Sequence, residues 1–459
     1  YCWCAVCKGE WRVTEPPAVI VAARVRNRGT EPLAVRAIRV ARAVMGPAPA
    51  AWGAPEAWRM LKLGYTFGAA HREDADGRNS GLVSFDRPSV TSRSFGMTAL
   101  RLGAHGPGLI LGFVAGERQV AWIDVRKEGR EIELAPCCDT EGTSIPPGEA
   151  LAAERLYAGL HADPFAGLAA YAALCARAAK VELKPVPRGW CSWYAYFAEA
   201  TAEDVTRNAE TCAALRAELP LPVVQIDAGW SRAMGDWLEP GARFPGGIEP
   251  VAARIKALGL TPGIWVAPFA VESTSRLAAE HPDWMVKDDA GKPLAWDVEW
   301  AQPKVSWHGL DGTHPEARRR LIETFAALRK MGFTYFKLDF LFMGCLRGIR
   351  AAPGTRAEAY RAGLRAIREG AGADAYLLGC TAPYPQSVGL VNGIRTSHDV
   401  FTGGDSIKHF GTVSAETHHR FWAHRVLWNA DPDVMLARDV AGASPGTPRA
   451  VCLSAALSG

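Results

Sequence analysis

The segment KLD places Lys337 and Asp339 two residues apart. On a β-strand that spacing turns both side chains to one face. Upstream, QIDAGW carries Asp227 and Trp230, and TPGIWVAPF carries Trp265. Downstream, LLGCTAP carries Cys380 and Thr381, and RTSHDV carries Arg395, Ser397, His398 and Asp399. Each group closes a short apolar run. Two carboxylates on nearby strand ends, ringed by Trp, Lys and Arg, suit cleavage of a glycosidic bond. One carboxylate attacks the anomeric carbon and the other protonates the leaving oxygen. An indole offers a flat apolar platform to a sugar face, and Lys, Arg and Asp bind hydroxyls. Each residue alone has a plainer reading. Lys337 and Asp339 could be an ion pair at a barrel rim, Asp399 a helix N-cap and Asp227 a turn former. Trp190, Trp193 and Trp230 could be core. Their joint occurrence in strand order favours a site.

The elements that must position these residues alternate. From Arg188 onward the chain repeats strand, loop, helix. GWCSWY, LPVVQID, TPGIWVAPF, FTYFKLDFLF, YLLGC, GLVNGIRTS and WNADPDVMLA read as seven strands, and TPRAVCLSAAL as a closing helix. Between them, Thr201 and Asp204 form a capping-box pattern, followed by an apolar stripe of Val205, Ala209, Cys212, Leu215 and Leu219. Ile248, Val251, Ile255 and Leu258 mark a helix closed by Gly259, and Leu321, Ile322, Phe325 and Leu328 the inward face of another. Near-continuous apolar strands alternating with helices predict a parallel sheet, and seven units favour a (β/α)8 TIM barrel, with catalytic groups at the C-terminal strand ends. Residues 1–180 differ. Short β-branched runs separated by NRGTEP, DADGRNSG, GAHGPG and IPPGEA predict an antiparallel β-sandwich, followed by an Ala-rich linking helix at Pro164–Ala179. The expected domains are therefore 1–180 and a catalytic barrel over 188–459.

Composition excludes several classes. The chain has 459 residues, 48% hydrophobic and 22% charged. That is ordinary globular composition, with room for two or three domains. No apolar run reaches membrane-spanning length. A formal charge of +4, with scattered basic residues, is no nucleic-acid footprint. Of 11 cysteines, Cys175, Cys212 and Cys452 sit singly in apolar segments and read as small buried hydrophobes. Cys2, Cys4 and Cys7 form CxCxxC without a fourth ligand, so no metal site is expected. The chain starts without Met and shows no signal peptide, so its N-terminus reads as cut. Unpaired cysteines favour the cytoplasm.

The motifs RGWCSWY, QIDAGW, TPGIWVAPF, HPDW, GLDGTHPEAR, YFKLDFLF, LLGCTAP, RTSHDV and NADPDVML, in this order, resemble those of the melibiase-type α-galactosidases of glycoside hydrolase family 36. That clan also holds the raffinose synthases. The resemblance runs from about Arg188 to the end, while the N-terminal region is similar to the family's sandwich domain only in strand content and position. It implies Asp339 as nucleophile and Asp399 as general acid/base, in a double displacement that retains configuration. It further implies that Lys337 and Asp227 bind sugar hydroxyls, that Trp265 lines the pocket with Trp190 as a second indole, that Cys380 contacts the sugar, and that Arg395 lies near the 2-hydroxyl. The family needs no metal or organic cofactor. An oligosaccharide or glycoside would be the substrate, and a homo-oligomer stays open. Two other functions remain: galactosyl transfer of the raffinose-synthase type, and non-catalytic carbohydrate binding, against which the intact Asp339 and Asp399 speak.

Two positions depart from the family. Its usual pair of acidic residues before GW is Asp227 followed by Ala228, and its KWD is KLD, with Leu338 for Trp. A replacement for the missing carboxylate is expected from Glu272 or from Asp297–Glu299. Failing that, sugars altered at the hydroxymethyl end are expected to be preferred. Lys337 is expected beside Asp339, keeping it ionised, and Asp399 is expected to have the higher pKa of the catalytic pair. Retention predicts carboxyl groups about 5–5.5 Å apart. Seven strands ending at Gly459 predict a barrel truncated at its C-terminal end.

Overall fold

A computed structural model describes residues 8–14, 18–45, 54–66, 80–298, 305–400, 406–435 and 446–458. Cys2, Cys4, Cys7 and Glu299 lie outside them. The chain forms two compact units. The first comprises residues 1–181, 383–389 and 396–459, and the second residues 182–382 and 390–395.

In the first unit, two antiparallel sheets form the expected sandwich. One runs in the order Lys8–Thr14, Ala18–Arg26, Leu156–His161, Gly108–Phe113, Met97–Arg101, Arg59–Lys62, Gly81–Ser84. The other runs Leu33–Arg39, Glu131–Ile145, Val120–Glu128, Ser89–Phe95. The two β-branched runs around NRGTEP therefore sit in different sheets. Alternation buries one side of each strand, and Val21, Ile38, Leu100, Leu111, Ile123, Val125, Ile132 and Leu156 fill a shared core. The helix Pro164–Ala179 starts at Asp163, whose carboxylate accepts from the Phe165 amide at 2.9 Å. Tyr171 on this helix donates its hydroxyl to the Phe113 carbonyl at 2.7 Å. Gly112 permits that approach, because a Cβ there would lie 2.4 Å from the Tyr171 ring. The expected seventh strand, Asn429–Asp431, and the closing helix, Thr447–Ser458, are also in this unit.

The second unit is built on six parallel strands lying side by side in chain order: Gly189–Cys191, Val223–Ile226, Thr261–Val266, Tyr335–Leu338, Tyr376–Gly379 and Gly393–Arg395. This is an arc of parallel strands of the kind a half-barrel has. The helix Ala202–Ala214 begins with the expected capping box at Thr201 and Asp204. It ends earlier than its sequence stripe, so Leu215 and Leu219 are 41% and 53% exposed. Helix Glu249–Ala257 is followed by Gly259 at φ +76°, and helix Pro315–Lys330 buries Leu321, Phe325 and Leu328. Phe325 packs on Phe336 at 5.3 Å between centroids. The Trp-rich stretch after the third strand holds a three-stranded antiparallel sheet of Ala270–Glu272, Val305–Gly309 and Ala295–Val298. Among the described residues no helix is long and apolar enough to cross a membrane.

Candidate active site

Register and pleat select the side chains that meet. Across the parallel sheet, Cys191 pairs with Gln225, Gln225 with Gly263, Gly263 with Tyr335, and Tyr335 with Tyr376. Two residues further along on the same face come Trp265, Lys337, Leu378 and Gly393, which are paired in turn. Asp227, two beyond Gln225, joins this second layer. Another step of two brings Asp339 and Cys380 just past their strands and Arg395 to the last position of its own. The alternate positions, Val224, Ile226, Ile264, Phe336, Leu338 and Leu377, are apolar and buried. Strands that read as apolar runs thus carry their chemistry on one face only.

The second layer centres on an ion pair. The ammonium of Lys337 donates to Asp227 Oδ2 at 3.0 Å, and Asp227 is 2% exposed. The same oxygen accepts from Gln225 Nε2 at 2.5 Å and from the Cys191 thiol at 3.3 Å, while Oδ1 accepts from the Ala228 amide at 2.9 Å. Burial opposes the charge of Lys337. The field of Asp227, with Asp339 further off, outweighs it and pushes the lysine pKa well above its ordinary range. Burial, then the charge of Asp227, pushes the Cys191 thiol well up, so it stays protonated and donates.

Asp339 stands above this pair, half-buried. Its Oδ2 accepts from the Trp265 indole at 3.0 Å, and its Oδ1 from the Phe340 amide at 2.7 Å and the Thr381 hydroxyl at 3.1 Å. The expectation that Lys337 lies beside Asp339 is corrected here: the lysine bonds Asp227, and neutral donors hold Asp339. Lys337 is a full layer deeper, where the buried Asp227 competes for it. Phe340 and Thr381 both have left-handed backbones, at φ 48° and 47°. For non-glycine residues such a conformation is held by its surroundings, and here each residue directs a donor at Asp339.

Aromatic rings wall the carboxylate. Trp265 meets Trp237 edge-on at 5.8 Å and Phe340 at 6.3 Å, and Trp307 of the antiparallel sheet lies 4.6 Å from Phe340. Trp230 donates its indole N–H to the Trp265 carbonyl at 2.8 Å.

The structure brings together Asp227, Trp265, Lys337 and Asp339, with Cys380 and Arg395, 3% and 1% exposed, on the same strand-end row as Asp339. It does not bring Trp190 to them. Trp190 precedes Cys191 and pairs with Val224, so it falls on the alternate face, where its ring meets Tyr196 at 6.3 Å. Asp399 is half-buried and belongs to the first unit. Of the expected replacements for Ala228, Asp297 is exposed and accepts from Ser306 at 2.8 Å. Glu272 is half-buried, and burial, with the charge of Asp236, raises its pKa. The sequence reading missed Gln225, Cys191 and Trp237. Gln225 was detectable as the residue two before Asp227 on one strand. Thr381 was read as a strand-end residue, but its hydrogen bond to Asp339 was not.

The chain is similar in part to known proteins. Residues 186–342 match the Melibiase family model. The chain is 34% identical over 100 residues to α-galactosidase AgaA of Geobacillus stearothermophilus, covering 20% of this chain and 13% of the relative. It is 32% identical over 112 residues to an α-galactosidase of Escherichia coli, covering 23% and 15%. The aligned parts thus span about a seventh of these curated relatives. The solved structure of TtGalA, an α-galactosidase from Thermus thermophilus in complex with p-nitrophenyl α-D-galactopyranoside, aligns over 97% of this chain and 88% of that one, at 25% identity and a TM-score of 0.69. AgaA with raffinose aligns over 96% and 65%, at 15% identity and a TM-score of 0.63, a likeness of fold. Over residues 186–342 this chain is thus similar to the melibiases, and over nearly its whole length its fold is like that of solved α-galactosidase structures.

Proposed function

We propose that the protein is a retaining glycosidase that removes terminal α-galactoside-like residues from oligosaccharides, and that its parallel sheet is part of a (β/α)8 barrel. The observation that carries this reading is the half-buried Asp339, held by three neutral donors above the buried Lys337–Asp227 pair. Hydrogen bonds from the Trp265 indole, the Phe340 amide and the Thr381 hydroxyl fix the carboxylate in one orientation. A fixed anion needs little reorganisation when it attacks.

In the proposed cycle an Asp339 oxygen bonds to the anomeric carbon as the glycosidic C–O bond breaks. The bonding pair leaves with the glycosidic oxygen, which takes a proton from Asp399. Asp399 is assigned this part from its place in the chain, four residues beyond the strand Gly393–Arg395. In the second half it accepts a proton from water as the water oxygen displaces Asp339. Two inversions give net retention. Lys337 and Asp227 order the sugar hydroxyls, Trp265 covers an apolar face, and Cys380 and Arg395 contact the ring from the neighbouring strand ends.

Turnover of 4-nitrophenyl α-galactoside, followed by NMR of the first-formed product, tests the reading. The α-anomer should appear before mutarotation. Asp339→Ala should lower kcat by at least about a thousandfold with the fold intact. An inverted product, or an Asp339→Ala variant of normal activity, would overturn it.

A further inference from the structure

The segment that carries Asp399 is clamped at residues on both sides of it. The backbone amide of His398 donates to Glu416 Oε2 at 3.0 Å, and its imidazole Nδ1 lies 2.8 and 3.0 Å from the two Glu416 oxygens. An ionised carboxylate only accepts, so Nδ1 carries the proton. On the other side the Val400 amide donates to Asp433 Oδ2 at 2.8 Å. Further back, the Thr396 amide donates to the Asp431 carbonyl at 3.0 Å, and Arg420 donates to the Thr396 and Glu416 carbonyls at 3.3 and 3.0 Å. All of these residues lie in the first unit.

Two features set this clamp apart from ordinary loop anchoring. Glu416 is 3% exposed, and a buried carboxylate is costly unless its partners are in place. Burial alone would raise its pKa, but His398, through its ring and amide, outweighs burial and holds it below the ordinary range. Asp433 is a non-glycine residue at φ 78°, and its own amide donates to Asp431 Oδ1 at 2.9 Å. Backbone strain of this kind persists only where the surroundings over-determine it. Both costly features converge on the amides immediately before and after Asp399.

We infer that Glu416 and Asp433 are positioning residues for Asp399, holding residues 398–400 so that its carboxyl group faces the leaving oxygen. This rests on the reading of Asp399 as the acid/base. A general acid must sit within hydrogen-bond reach of the oxygen it protonates, and small misplacements are costly to rate. Neither carboxylate touches substrate in this account. Each acts through a backbone amide.

Dependence on the leaving group separates positioning from scaffolding. With the full chain, kcat/KM is measured for 4-nitrophenyl α-galactoside, whose leaving group needs little protonation, and for methyl α-galactoside, whose leaving group needs much. Asp399→Ala should lower the methyl-to-nitrophenyl ratio by about a hundredfold. Glu416→Ala and Asp433→Ala should lower it in the same direction, by about tenfold, because the acid is present but displaced. Glu416→Gln should restore most of the ratio, since its carbonyl oxygen still accepts the His398 amide. Equal falls on both substrates in Glu416→Ala and Asp433→Ala, tracking a lowered Tm, would overturn the inference and leave these residues as scaffold. If Glu416→Ala does not fold, the ratio in Asp433→Ala decides. An Asp399→Ala variant with an unchanged ratio would overturn the acid/base reading itself, and this inference with it.

Discussion

Lys337 is the residue on which the buried layer depends. Removing it leaves the Asp227 carboxylate, 2% exposed, without its cation. Lys337→Met should destabilise the fold by about 3–5 kcal/mol, read as a lowered urea midpoint. Asp227→Asn in the same background should recover most of the loss, because no unpaired charge then remains. A Lys337→Met variant as stable as the parent would show the pair to be dispensable. At Ala228, the carboxylate implied by the family resemblance is absent, and only the amide is engaged, with Asp227. A site built to bind a hydroxyl rejects the analogue lacking it by about 10⁴ or more. For this chain, kcat/KM for an α-galactoside and for its analogue without the 6-hydroxyl should be nearly equal, and Ala228→Asp should shift the ratio toward galactose. A parent ratio near 10⁴ would mean that another side chain supplies the acceptor. These residues differ in how they could be read. Asp339, Lys337 and Asp227 stand at strand ends with period-two spacing, so type and position were legible. That Lys337 pairs with Asp227 was not, because strand neighbours and depth are set by the sheet.

At the scale of elements, legibility followed length and punctuation. The capping box at Thr201 and Asp204 and the glycine after the next helix marked ends that the structure keeps. The helix Arg356–Ala371 was not read, although Thr355 and Glu358 form the same reciprocal cap. The antiparallel sheet after the third strand was also missed, because its strands are three to five residues long and interrupted by Trp, Asp and Pro. One element carries a pH dependence. His424 Nδ1 accepts the amide of Ala430, in the short strand Asn429–Asp431, at 3.1 Å, which requires an unprotonated nitrogen. Burial, then the charge of Arg425, lowers its pKa from the ordinary 6.5. Burial likewise lowers His419, with Arg420 assisting. A base whose pKa is lower when folded is protonated first in the unfolded chain. Stability is therefore retained above the ordinary histidine range and declines as pH falls through it. The urea midpoint should drop between pH about 7.5 and about 5.5, and His424→Gln should flatten that drop. A midpoint independent of pH over this interval would contradict the assignment.

On the scale of the whole molecule, the two units have separate cores. Val21, Ile123, Val125 and Ile132 fill the sandwich, and Ile226, Ile264, Phe336 and Leu377 line the apolar face of the parallel sheet. Chains with separate cores depart from two-state unfolding. Calorimetry should give a measured enthalpy above the van't Hoff value, with two components. Ile123→Ala should shift one component by about 2–5 kcal/mol and leave the other in place. A single transition with matching enthalpies would refute this. The sequence by itself determined the β-rich first part, the alternating second part, and the candidate residues at the strand ends. These follow from periodicity, turn residues and charge placement, which are local. Only the tertiary structure decided the rest. Register stacked Cys191 and Gln225 beneath Asp227, and the pleat turned Trp190 to the opposite face. Turn geometry aimed Phe340 and Thr381 at Asp339, and the contacts of residues 396–459 grouped them with the first unit. The physical reason is common to all four: which side chains meet depends on how strands far apart in sequence pair, and single-chain periodicity records only the face of each strand.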